Sequence, residues 1–183
     1  MDSASVTKET IGLSRWTNKQ NALRFQKISD DLHEKYGITF TEITGHIHSL
    51  RADNNRLSSE ISKAKQDVEE LRQFIESCVA YKRFQIYAIN EQKTENKKEY
   101  YEKHDSQLDT YHDALFTLEQ RNIDVNSITT ESIKIMQQRL KDAEVNIQNQ
   151  EELQKQNARD LKELSDYQKE IHTYLGRKNS QEL

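Results

Sequence analysis

Between Phe40 and Cys78 an apolar side chain returns at alternating steps of three and four: Phe40, Ile43, Ile47, Leu50, Asn54, Leu57, Ile61, Ala64, Val68, Leu71, Ile75 and Cys78. Eleven of these twelve positions are apolar, too regular a run to arise by chance. A 3.5-residue repeat sustained over five heptads predicts a helix supercoiled against a partner helix. Asn54 is the one polar member, and a buried amide in such a seam sets register at a cost in stability. A second stripe follows late in the chain: Ile133, Met136, Leu140, Ala143, Ile147, Gln150, Gln154, Asn157, Leu161, Leu164, Gln168, Ile171 and Leu175. Nine of its thirteen members are apolar, so the second seam is weaker and has a polar middle.

Boundary signals divide the rest. Phe25, Ile28, Leu32 and Tyr36 fall at helical spacing, which predicts an N-terminal helix over 14–37, closed by Gly37 in a left-handed cap. Residues 1–13 are expected to be disordered. Thr39 and Glu42 have the spacing of a capping box, with Ile38 and Ile43 as the hydrophobic staple across it. The outgoing helix is therefore expected over 39–86. Thr129 or Thr130 caps a return helix over 131–176, with Glu131 in its first turn and Gly176 at its end, leaving 177–183 as a tail. Between them, 87–130 reads as a helical tip and loop. It contains "NEQKTENKKE", which has no hydrophobe and is a hinge or a solvated turn, and then the stripe Tyr101, His104, Leu108, Tyr111, Leu115, Leu118.

Two helices of about 47 residues would each span roughly 70 Å. The expected architecture is all-α: a long antiparallel coiled-coil hairpin with a helical tip and a short N-terminal helix. A parallel homodimer is the alternative to the monomeric hairpin. In the hairpin, residues whose numbers sum to about 214 are paired, which brings Asn54 within a turn of Asn157 and lets the two amides bond each other.

Composition agrees with solvated helices. Proline, the commonest helix breaker, is absent, and hydrophobic residues make up only 33% of the chain. The net charge of −4 implies no general attraction to nucleic acid, so any basic patch is local. A single cysteine forms no internal disulfide and fits a reducing cytoplasm. No apolar run approaches the ~20 residues of a membrane span, and "MDSASVTKET" lacks a signal-peptide core, so a cytoplasmic location with no membrane partner is expected.

Residues able to do chemistry are few. His46-Ile47-His48 matches the metal-binding pattern of nucleases that hold DNA on a tyrosine, and Tyr100-Tyr101 follows. That pattern needs a strand, where i and i+2 share a face. On a helix the two histidines diverge by about 200°. The capped heptad places them on a helix, so no metal, no cofactor and no catalytic residue are expected. Asp105, Asp109 and Asp113, with His112 nearby, read as a solvated face. Cys78 sits in the seam as a small core residue. No phosphate-cradling glycine loop is present. One segment stands out: from Ile11 to Ser29 it carries Arg15, Lys19, Arg24 and Lys27, no acid, and the interleaved aromatics Trp16 and Phe25. Cations among aromatics suit phosphates and unstacked bases, which makes Arg15, Trp16, Lys19, Arg24 and Lys27 DNA-contact candidates. The alternative is an amphipathic helix packing its apolar face on the hairpin base.

The order of segments "RWTNKQNAL", "YGI", a heptad helix, "YKRFQIYAINEQKTENKKEYYEKHDSQLDTYHDAL" and a capped return helix resembles the C-terminal region of relaxases, the mobilisation proteins of Gram-positive conjugative and mobilisable elements. The resemblance runs through Trp16, Asn18, Lys19, Gln20, Gly37 and Ile38. It continues in Tyr81, Tyr87, Lys97, Lys98, Glu102, Lys103, His104, Tyr111, Ala114 and Leu115. The family's nuclease lies in an N-terminal domain that has no counterpart here. The resemblance therefore implies a non-catalytic module of plasmid mobilisation and conjugation, acting by DNA binding or by assembling the protein partners of the transfer complex. Its competitor is a structural coiled-coil adaptor or spacer with a protein partner and no DNA role.

Overall fold

The computed structural model describes residues 3–179, with side-chain surroundings for 17–175. The described residues form four α-helices and no strand: α1 (Ser3–Tyr36), α2 (Ile43–Lys93), α3 (Lys97–Gln120) and α4 (Thr130–Asn179), with a 3-10 turn at Val125–Ser127. The fold is all-α, as the periodicity requires. The chain divides into two compact units, one of residues 1–57 and 153–183, the other of 58–152, and α2 and α4 contribute a segment to each.

In the first unit, α1 and the start of α2 pack on the end of α4 around Ile28, Leu32, Ile43, Ile47, Leu164 and Ile171. Gly37, at φ 65°, ends α1, and its N–H donates to the His33 carbonyl at 3.1 Å, the bond of a left-handed cap. Ile38 then folds back on Leu32 in the same core. Phe25 meets the ring of Phe40 at 5.9 Å, and Tyr36 meets that of His46 at 6.0 Å. Rising numbers on α1 thus meet rising numbers from Phe40, just before α2, to His46 within it, so the two helices run side by side in the same direction and the intervening residues reverse the chain twice. The expected box at Thr39 forms in one half. The Thr39 N–H and hydroxyl both donate to the Glu42 carboxylate at 2.8 Å, and α2 begins after this turn.

The second unit is built on Ile75, Cys78, Tyr81, Ala114, Leu118, Ile128 and Ile133. The polar stretch after Asn90 is a tight reversal. Asn96 caps α3 by accepting the Glu99 N–H at 3.2 Å and donating its amide to the Glu99 carboxylate at 2.8 Å. The rings of Tyr81 and Tyr111 stack at 5.4 Å, and Tyr87 meets His104 at 5.2 Å, so α3 runs antiparallel to α2. Asn122, at φ 55°, stops α3. Its N–H bonds the Glu119 carbonyl, and the Ile123 N–H bonds that of Leu118, completing a Schellman motif with asparagine in the place glycine usually takes. A reciprocal pair starts α4: the Ser132 N–H donates to the Thr129 hydroxyl at 3.0 Å, and the Thr129 N–H to that of Ser132 at 2.9 Å.

Within each unit α2 and α4 are antiparallel. In the second, Lys65 pairs with Glu151 and Arg72 with Glu144, both at 2.7 Å; in the first, Gln168 donates to Thr44 at 2.7 Å. All three contacts fall within two positions of the expected register.

Several boundaries differ from expectation. Residues 1–13 were assigned to disorder, but α1 starts at Ser3; with no proline to stop it, a lone Gly12 costs only about 1 kcal/mol. For the same reason α4 passes through Gly176 to Asn179, and α2 continues past residue 86 to Lys93. Phe40 and Leu175, the end members of the two seams, are 40% and 39% exposed, because a seam residue at a helix end is covered on one side only. On α3, Tyr101 is exposed while Tyr100 is half-buried against His104. The reversal follows from His104, whose φ −129° and ψ 25° break the helical phase between the first turns and Leu108.

A Cβ at Gly37 meets nothing within 4 Å, so Gly37→Ala meets only the strain of the left-handed backbone. It should destabilise the chain by about 1–2 kcal/mol without changing its helix content, as read by urea denaturation followed by circular dichroism.

Candidate nucleic-acid interface

The basic helix is tied down by carboxylates of α4. The Arg24 guanidinium grips Glu170 with a fork, Nε to Oε2 at 2.6 Å and Nη2 to Oε1. That bond raises the arginine's pKa further above its ordinary value. Four residues beyond Asp31, Lys35 meets Glu163 at 2.6 Å. The phenols complete the clamp: Tyr36 donates to Glu163 at 3.1 Å, and Tyr167 donates to Glu163 at 2.6 Å and to Asp31 at 2.9 Å. Burial raises both phenol pKa values first, and the neighbouring carboxylates add to it, so both hydroxyls are donors. The Glu163 carboxyl is held below its ordinary range, first by Lys35 and then by the Tyr167 hydroxyl.

Beside the clamp lies a groove of about 240 Å³ between α1 and α4. Phe25 stacks on Tyr174 at 4.7 Å along it, and Arg24 and Glu170 stand together on its wall. Of the two cations lining it, Arg24 is paired with Glu170 and Lys169 with Asp166 at 3.5 Å, so each already has a carboxylate partner.

Of the five DNA-contact candidates, Arg24 is exposed but ion-paired to Glu170 of α4. Lys19 and Lys27 are exposed, with Leu23 midway between them at helical spacing. Arg15 and Trp16 lie outside the described side chains. Lys35 and the two tyrosines, the rest of the clamp, were missed by sequence reasoning. The signal was the pairing of Tyr36 with Tyr167 among acids, but nothing in spacing says that α1 lies on α4.

The other candidates resolve into packing. His46 and His48 lie on α2, His46 half-buried beside Tyr36 and His48 exposed. Among the described residues, no group of three or more His, Cys, Asp or Glu is placed to hold a metal ion. Tyr101 donates to Asp109, and His112 lies beside the Tyr111 ring. Cys78 is fully buried; burial raises its thiol pKa, and Arg121 only partly opposes this. The seam amides do not form the expected pair. The Asn54 carbonyl oxygen is buried without a hydrogen-bond partner, as is that of Gln150, so reciprocal bonding between Asn54 and Asn157 is absent.

Comparison with protein-family models, with characterised proteins and with solved structures finds no match to this chain. The relaxase resemblance therefore rests on the sequence segments that carry it.

Two outcomes follow. Asn54→Leu removes a buried, unbonded oxygen and should raise stability by about 1–3 kcal/mol in chemical denaturation. Glu163→Gln should lower the melting temperature by about 2–4 °C at neutral pH. Because the folded carboxyl titrates below its unfolded value of about 4.3, its contribution is complete above that value and disappears as pH falls through the lowered one. The gap between Glu163→Gln and the unmodified chain should accordingly narrow in melts as the pH is taken progressively below about 4.3.

Proposed function

We propose that this chain is a non-catalytic helical adaptor: a pair of long helices that carries binding surfaces and does no chemistry of its own. The observation that carries this reading is the placement of α1. Arg24, one of its candidate phosphate contacts, and Lys35 are engaged by Glu170 and Glu163, so part of the basic charge of α1 is given to joining α4. The remaining polar chemistry is of the same kind. The histidines and tyrosines that first suggest a nuclease are a helix flank and ring contacts, and the cysteine is a core thiol. No helix among the described residues is long and apolar enough to cross a membrane.

A second reading keeps the DNA-mobilisation role that the sequence resemblance implies. It is favoured by the exposed pair Lys19 and Lys27, which extend a cationic edge along α1. In that case the module accompanies DNA transfer and holds the nucleic acid through phosphates alone.

Salt dependence separates the two. A titration of labelled single- and double-stranded DNA, read by fluorescence anisotropy at about 50 and 200 mM salt, should show no saturable binding below roughly 10 µM. Binding that weakens steeply with salt, and that is lost when Arg15, Lys19, Arg24 and Lys27 are all changed to alanine, would overturn the adaptor reading in favour of the mobilisation module.

A further inference from the structure

Two exposed faces of the second unit are left uncompensated, and their chemistry is opposite. Near its end α2 presents Val79, Lys82, Arg83, Ile86, Ile89 and Lys93 at steps of three, four and seven, which is one helical stripe. Ile86 is 54% exposed, and Val79 and Ile89 are 37% and 38% exposed. The cations between them lean on rings rather than on carboxylates: Lys82 lies 5.8 Å from the Tyr81 ring centre and Arg83 lies 5.3 Å from that of Phe84. This differs from Lys65 and Arg72 on the same helix, each of which reaches a glutamate of α4. Glu76 borders the stripe at its lower end.

The outward face of α3 is its complement. Asp105, Asp109 and Asp113 are exposed at successive i+4 steps, with Tyr101 at one end and Phe116 at the other. Phe116 is 62% exposed, a large apolar ring held out into water. Asp109 accepts the Tyr101 hydroxyl and Asp105 accepts the Ser106 N–H, so the bonds they make leave the negative charge in place. Each face is roughly 20 Å long at the helical rise per residue.

We infer that this chain associates with itself, the acidic aromatic face of α3 in one copy seating on the basic apolar stripe of α2 in another. Three observations choose a second copy as the occupant. The charges are opposite in sign and equal in number, three cations against three aspartates. The two faces match in length. Each mixes charge with large apolar groups, so contact removes Phe116, Ile86 and Val79 from water while cations meet carboxylates. Hydrophobic anchors inside a charged rim are the arrangement of a specific protein interface, with the charges setting orientation and rate. Every copy offers both halves of the contact, so no other component is required. The contact uses only the second unit and is independent of whether α1 binds DNA.

The test is sedimentation equilibrium of the full chain, with helix content checked by circular dichroism. The unmodified chain should associate at tens of micromolar, and about tenfold more weakly in 0.5 M salt. Reversing the stripe (Lys82→Glu, Arg83→Glu, Lys93→Glu) or the acidic face (Asp105→Lys, Asp109→Lys, Asp113→Lys) should each weaken association about tenfold or more. Mixing the two reversed chains restores opposite faces and should restore the complex. Phe116→Ser, an exposed change that leaves every charge in place, should weaken association as well. A chain that stays monomeric to about 1 mM would overturn the inference. So would an association unmoved by either reversal, or a monomer that instead takes up an acidic amphipathic peptide on the α2 stripe.

Discussion

The apolar seam between α2 and α4 is the contact on which each unit depends. Hydrophobic residues make up only 33% of the chain, and several large ones, Ile86 and Phe116 among them, stand exposed, so few are left for the core. Each unit therefore closes by adding one more helix to the same pair. In the first, α1 lays Ile28 and Leu32 against Ile43, Ile47, Leu164 and Ile171; in the second, α3 lays Ala114 and Leu118 against Ile75, Cys78 and Ile133. Full burial of a leucine or isoleucine is worth about 1.5–3 kcal/mol, so a handful of such positions per unit must offset the ordering of long charged side chains. Leu32, Leu108, Leu118 and Leu164 are completely buried, and they are where that stabilisation is concentrated.

Charge then decides what each surface is available for. On α1, Arg24 and Lys35 find carboxylates on α4, and surface pairs of this kind add little stability but remove the cations from other work. The phenols of Tyr36 and Tyr167 reinforce the same contact from its sheltered side, where hydrogen bonds to carboxylates are stronger than neutral ones. In the second unit Lys82, half-buried, and Arg83, exposed, have rings rather than carboxylates for neighbours. A cation is thus a structural element in one place and an offered binding group in the other, although composition counts them alike.

Polar groups inside the seam have a different role. Asn54 and Gln150 each bury a carbonyl oxygen that finds no donor, a defect that an apolar side chain would remove. A seam perfected with leucine at every position would gain stability and would also pair in more registers.

Much of the fold was legible in the residues themselves, since helix formation and capping are local. The heptad over Phe40–Cys78, the cap at Gly37, the start at Thr129 and the antiparallel register all follow from spacing and from side-chain chemistry within a turn or two. The helical setting that separates His46 from His48 was readable for the same reason. What lay beyond reach depended on which helix faces which. The kink at His104 rotates Tyr101 outward, α1 runs alongside α2 rather than away from it, and Glu170 happens to stand where Arg24 ends. A basic stripe reads identically in sequence whether it faces water or a carboxylate 146 positions along the chain, because pairing is a matter of distance in space. The sequence by itself determined the helices, several of their caps and their register, because these are local, and only the tertiary structure decided which charges meet a carboxylate across helices, because that depends on distance in space.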